Sequence, residues 1–177
     1  FLETLDERDV RSGVGEMMKV HAIEGPETFD RIAGDYARLF TDPETMQRYV
    51  RRALEVKKSY IEPDEFDRRE RQVFNYGHSF GHAIEAATDF AIPHGIAVTI
   101  GMDMANYASM RLEVGSESHF IRMHPALRAN YRGFEDHSVP AEKFMAAIAK
   151  DKKNTGANSV SLILPGKDGR IAKGAYP

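Results

Sequence analysis

Three of the seven histidines fall close together, at His78, His82 and His94. His78 and His82 are four apart in a segment with a helical pattern, so both rings project from one face. His94 follows a break at Pro93 and arrives from the start of the next element. Two imidazoles on a helix face, with a third from a neighbouring helix, suit a divalent metal or an anionic substrate. A pair of hydrogen-bonded core histidines is the structural alternative. Asn75, Gly77, Gly81 and Gly95, gathered around the rings, argue against it. A metal held by two histidines needs a carboxylate or a third histidine to complete it. Glu16 is the preferred carboxylate, because Gly15-Glu16-Met17-Met18-Lys19 is an otherwise apolar helix turn. Glu85 is its rival, but it lies one turn past His82 and is read as a local cap or pair. The cations Lys19, Lys57, Lys58, Arg71, Lys152 and Lys153 are ordinary surface residues by default, and periodicity alone cannot select among them.

The elements that must position these residues are mainly helical. Helices are expected from about Asp9 to Ala22, with Gly13 and Gly15 allowing close approach, and from Glu27 to Phe40 after the Gly25-Pro26 break. Asp42 is a good N-cap ahead of Pro43 at the first position of a third helix, which carries Met46 to Lys57 and ends before Pro63. Further helices are expected over His78–Thr88, Gly95–Leu112, Ser118–Tyr131 (despite Pro125) and Pro140–Lys150. Ser159 to Leu164 alternates and is β-rich, and a turn at Pro165–Gly169 leads to Arg170-Ile171-Ala172 as a hairpin partner. The fold class is therefore mainly α, one helical domain with a small β-hairpin near the C-terminus.

Composition narrows the function. The chain has 177 residues, 42% hydrophobic and 29% charged, with a formal net charge of −3. That balance gives no general attraction to nucleic acid or to acidic membranes. The absence of cysteine removes disulfides and thiolate metal sites and is consistent with a cytoplasmic protein. No apolar run approaches the roughly 20 residues of a membrane span. Gly13-Val14-Gly15 lacks a third glycine and a preceding strand, so no dinucleotide loop is visible. The chain starts at Phe1 and runs straight into a polar segment, so it is expected to be a piece of something longer.

The segment Arg71-Gln72-Val73-Phe74-Asn75-Tyr76-Gly77-His78-Ser79-Phe80-Gly81-His82-Ala83-Ile84-Glu85 resembles the hallmark of 3-dehydroquinate synthase and its sister sugar-phosphate cyclases. So does His94-Gly95-Ile96-Ala97-Val98-Thr99-Ile100-Gly101-Met102. Gly13-Val14-Gly15-Glu16-Met17-Met18-Lys19 resembles the family's Gly-x-x-Glu-x-x-Lys element. Lys57, Asp64-Glu65 and Arg71 keep its spacing, and Asp151-Lys152-Lys153-Asn154 resembles its late lysine motif. The resemblance implies the helical C-terminal metal domain of a two-domain enzyme, without its N-terminal NAD-binding domain. By position, Glu16, His78 and His94 would ligate zinc or cobalt. Lys57 and Arg71 would hold a substrate carboxylate. Asn75, His82 and Lys152 or Lys153 would contact the phosphate. Lys19 and His82 are the catalytic candidates. The implied reaction is an NAD- and metal-dependent, phosphate-eliminating cyclisation of a seven-carbon keto-acid sugar phosphate in the shikimate pathway of aromatic amino acid biosynthesis, performed by a homodimer when intact.

The sequence departs from the family's usual His-Gly-Glu at Ile96, from its Gly-Leu-Arg at Arg69-Glu70-Arg71, and from its Tyr-Gly after the lysine at Val20-His21-Ala22. These departures bear on substrate more than on fold. Sister cyclases take sugar phosphates without a carboxylate, and the presence of both Lys57 and Arg71 favours the acid. Two other readings compete: a metal-dependent polyol dehydrogenase, and a non-catalytic metal-binding domain. The piece alone is expected to be inactive.

Overall fold

The computed structural model describes residues 4–64, 70–150 and 160–176. Among these are seven α-helices and one two-stranded antiparallel sheet: α1 Glu7–Glu24, α2 Pro26–Gly34, α3 Pro43–Ile61, α4 His78–Ala87, α5 His94–Arg111, α6 Glu117–Tyr131, α7 Ala141–Lys150, β1 Val160–Pro165 and β2 Ile171–Tyr176. The mainly helical fold read from the sequence is the fold observed.

Local chemistry sets the boundaries. The Asp6 carboxylate accepts from the Asp9 N–H and starts α1, and Gly25, at φ 153°, ends it. Asp42 caps α3 through the N–H groups of Glu44 and Thr45, with Pro43 at the first position. The single helix expected over Glu27–Phe40 is instead α2 followed by a 3-10 turn, Tyr36–Phe40. Asp35 interrupts it. Its carboxylate takes hydrogen bonds from Tyr49 Oη and Arg48 Nη2, both at 2.8 Å, and from Arg38 Nη1 at 3.2 Å. Pro125 does not break α6. The residue whose carbonyl loses its partner there, Ile121, is 60% exposed and lies on the solvent side.

α5 sits at the centre. It is apolar nearly all round, so it can be stable only when covered on every side. α1, α4, α6 and β1 all pack against it, α2 and α3 pack on α1 or its neighbours, and α7 packs on α4. Met18, Phe29, Ile32, Ile96, Met102, Met123 and Leu127 form the fully buried centre. The hairpin pairs Val160 with Tyr176 through Pro165 with Ile171, so its second strand runs to Tyr176, beyond the expected Ala172. Ser109 Oγ on α5 donates to the Pro165 carbonyl at 2.6 Å and ties the hairpin to the bundle.

Two helix crossings are closer than side chains permit. A Cβ placed on Gly101 of α5 would lie 2.0 Å from the Gly77 carbonyl oxygen, at the entry to α4. One placed on Gly15 of α1 would lie 2.3 Å from the Gly95 oxygen, and one on Gly95 would lie 1.9 Å from the Ser12 oxygen. Gly13, expected to share this role, meets nothing within 4 Å. These crossings bring Glu16, the first turn of α4 and the first turn of α5 to one place.

Candidate metal centre

His78 and His94 are each the first residue of a helix, α4 and α5. Gly77 precedes His78 at φ 77°, a left-handed conformation in which a side chain would be strained. His78 Nδ1 lies 3.2 Å from the Tyr76 carbonyl, and His94 Nδ1 lies 3.1 and 3.2 Å from the two Glu85 oxygens. An N–H on each Nδ1 leaves each Nε2 with a free lone pair. Both of these atoms face one oxygen: Glu16 Oε1 is 3.6 Å from His78 Nε2 and 3.7 Å from His94 Nε2. His82, one turn along α4, completes the cluster. Its ring centroid is 5.1 Å from that of His78 and 5.8 Å from that of His94, and one nitrogen from each of the three rings falls within 4.8 Å of the others.

The charges around this cluster are unusual for buried groups. Lys19 is 3% exposed; its Nζ donates to Glu16 Oε2 at 2.9 Å and is 3.5 Å from His78 Nε2. Burial lowers the Lys19 pKa against the pull of Glu16, and the Lys57 charge lowers it further. Burial works to raise the Glu16 carboxyl, but Lys19 beside it, with His78 and His94, holds it below its ordinary value. Burial and the Lys19 charge push His78 down to about 4, so the ring is neutral at pH 7. Glu16 Oε1 is buried and has no hydrogen-bond partner. A carboxylate oxygen in that position costs on the order of 1–3 kcal/mol unless something positive meets it. Glu16 Oε1 and the two imidazole lone pairs form a hard and borderline donor set that matches zinc or cobalt.

The remaining sequence candidates lie on α3, on the turn that leads into α4, or outside the described residues. Lys57 is half-buried on α3, near enough to Lys19 to act on its charge. Arg71 and Asn75 lie on the 3-10 turn Glu70–Asn75 that leads into α4. The Arg71 backbone N–H bonds Asp64 Oδ2 at 3.1 Å, and Asn75 is exposed, with Nδ2 3.3 Å from the Gln72 carbonyl. Glu65, Arg69, Lys152 and Lys153 lie outside the described residues. Ser12 is not among the sequence candidates, and Glu85 is read there as a local cap or pair. Ser12 Oγ accepts from the Gly95 N–H at 2.8 Å, capping α5 from α1. Glu85 is a partner of His94 rather than a cap; its spacing of three from His82 and seven from His78, which keeps it on their helix face, was the available signal.

The family model described as 3-dehydroquinate synthase C-terminal matches residues 13–154. The chain is 35% identical over 159 residues to the 3-dehydroquinate synthase of Cereibacter sphaeroides (86% of this chain, 43% of that one) and 33% identical over 174 residues to that of Rhodopirellula baltica (97% and 46%). It thus spans just under half the length of these curated relatives. Its fold is similar to that of 2-epi-5-epi-valiolone synthase from Streptomyces hygroscopicus subsp. jinggangensis, solved with NAD+ and Zn2+ bound: the TM-score is 0.82 at 25% identity, covering 98% of this chain and 49% of that one. It is also similar to that of 2-deoxy-scyllo-inosose synthase complexed with carbaglucose-6-phosphate, NAD+ and Co2+, with a TM-score of 0.80 at 22% identity, covering 96% and 48%. Match length and identity both place the chain in the 3-dehydroquinate synthase C-terminal family.

Proposed function

We propose that this chain is the metal- and substrate-binding part of a 3-dehydroquinate synthase-like carbon–oxygen lyase, a step of aromatic amino acid biosynthesis. In this reading NAD is bound mainly by a second domain and the intact enzyme is a homodimer. The observation that carries it is the orphaned Glu16 Oε1 facing the Nε2 atoms of His78 and His94. Glu16, His78 and His94 would hold Zn2+ or Co2+, which would supply Lewis-acid chemistry to substrate oxygens, while NAD would supply hydride chemistry.

The chain's own residues bind and orient the substrate. Lys57 and Arg71 hold its carboxylate. Asn75 and His82 hold its phosphate near the start of α4, where the helix dipole favours negative charge, and Lys152 or Lys153 is the further phosphate contact the family motif implies. Lys19, buried against Glu16 and His78, keeps a positive charge next to the reacting oxygens and limits the charge built up at the centre. His82, exposed at the rim, is placed to exchange a proton with solvent or with the phosphate. Two anionic groups held at once fix one pose through successive steps, the main service such cations give.

Elemental analysis of the purified chain tests the centre: about one zinc or cobalt per chain is expected, lost in His78→Ala and Glu16→Gln. No metal in the wild type would refute it. Phosphate release by the intact enzyme tests the substrate, with the keto-acid sugar phosphate expected to be turned over. Turnover of glucose 6-phosphate or sedoheptulose 7-phosphate instead would assign a sister cyclase.

A further inference from the structure

We propose that Glu85 is the positioning residue that clamps the His94 ring, locking it with its proton on Nδ1 and its Nε2 lone pair aimed at Glu16; the purpose given to this clamp rests on the metal-centre reading above. The His94 side chain is 47% exposed and touches the His78 and His82 rings on one side, so packing restrains it less than it restrains that of His78, which is 14% exposed. Glu85 does the holding. Its side chain is 10% exposed and both its oxygens lie on the same ring nitrogen, at 3.1 and 3.2 Å. A buried carboxylate with an imidazole N–H as its polar partner fixes both the rotamer and the tautomer of that ring.

The backbone supports the same purpose. The connection from α4 to α5 contains two consecutive non-glycine residues in left-handed conformations, Asp89 at φ 50° and Phe90 at φ 60°. Such residues persist only where their surroundings over-determine them. Here the Phe90 N–H bonds back to the Glu85 carbonyl at 2.8 Å. Glu85 therefore grips the strained connection by its backbone and the ring beyond it by its side chain. One residue of α4 thus holds the connection that leads to α5 and the ring that begins it.

The test combines tautomer and affinity on the whole chain. In metal-free protein, two-bond proton–nitrogen correlation of the imidazoles is expected to show His94 protonated at Nδ1 and to lose that form in Glu85→Leu. Glu85→Gln keeps an acceptor of nearly the same shape and should keep the tautomer. Its weaker acceptor should still raise the Co2+ dissociation constant, read from the visible spectrum, by about 10-fold, and Glu85→Leu by up to about 100-fold. The inference is overturned if the Nδ1 form survives in Glu85→Leu, or if Co2+ affinity is unchanged in Glu85→Gln. A wild type that takes up no Co2+ yet loses the Nδ1 form in Glu85→Leu would uphold the clamp while refuting the metal reading. If Glu85→Leu does not fold, the Glu85→Gln affinity still decides.

Discussion

Replacing Gly101 by alanine inserts one methyl group at the tightest contact between α4 and α5. Its Cβ would stand 2.0 Å from the Gly77 oxygen, 2.7 Å from the Gly81 nitrogen and 3.0 Å from the Gly77 carbonyl carbon. All three are backbone atoms, so no side chain can swing aside. Reaching even the 3.0 Å floor of real Cβ contacts requires the helices to part by about 1 Å. Overpacking of this kind costs about 1–3 kcal/mol, and the backbone origin of the clash puts it at the upper end. Alanine's better helix propensity returns about 0.5–1 kcal/mol. The net loss is about 2 kcal/mol, or about 4–8 °C in Tm for a chain of this size. The site suffers more than the fold. Gly77 immediately precedes His78 and Gly101 is two turns along from His94, so the same displacement separates the two rings by about twice the roughly 0.5 Å a preorganised centre tolerates. Urea or thermal unfolding paired with Co2+ titration measures both effects, with a loss of at least about 10-fold in affinity expected. Gly13→Ala is the internal control: nothing lies within 4 Å of its Cβ, so it should stabilise by about 0.5–1 kcal/mol and leave metal uptake alone. A Gly101→Ala chain as stable as wild type would refute the argument that these glycines set the site's spacing.

Removing the hydroxyl of Ser12 leaves the Gly95 N–H at the start of α5 without its acceptor, and Ser12→Ala should cost about 1 kcal/mol in urea unfolding; no loss would show that water replaces it. His119, 7% exposed, is pushed down to about 4 by burial and by the Arg122 charge. Because the unfolded ring titrates near 6.5, the unfolded state takes the proton first, and the stability present above that pH is lost as pH falls toward 4. His78 and His21 shift in the same direction, so the wild-type slope contains all three. Unfolding at about pH 7.5 and about pH 5 should therefore show a smaller acid loss in His119→Gln than in wild type, and equal losses would remove His119 from the account.

The fold was legible where one periodic stripe met a strong stop. α4 and α5 begin within a residue of where Pro93 and the glycines place them, because no long-range contact competes with those signals. The expected helix over Glu27–Phe40 failed at a residue whose local propensity is unremarkable. Asp35 breaks it because Arg48 and Tyr49, from the next helix, converge on its carboxylate, and that convergence has no trace in a window of a dozen residues. The histidine cluster was legible as a pair plus one, since i, i+4 spacing on a helix fixes a shared face. The approach of Glu16 to it was readable only as an oddity, a carboxylate among methionines. The glycine crossings that deliver Glu16 to the rings depend on which helix meets which.

Glu16 and Glu85 looked like rivals in the sequence because either carboxylate could complete a metal site begun by the histidines. Their geometries give them different work. Both Glu85 oxygens are taken by the Nδ1 side of His94, the side turned away from the cluster. Glu16 divides its oxygens: Oε2 is neutralised by Lys19, while Oε1 is buried, unpartnered and faced by two Nε2 atoms. A carboxylate spends one oxygen on a buried lysine most usefully when the other must meet a partial positive charge, because the lysine then keeps it ionised through any proton competition at that oxygen. Lys19→Met separates this from a purely structural ion pair. If the lysine serves the centre, the variant should bind Co2+ more weakly, with the loss growing as pH falls, since Glu16 then protonates more readily. If the pair is only structural, the variant should lose stability while its Co2+ affinity stays at the wild-type value across the same pH range.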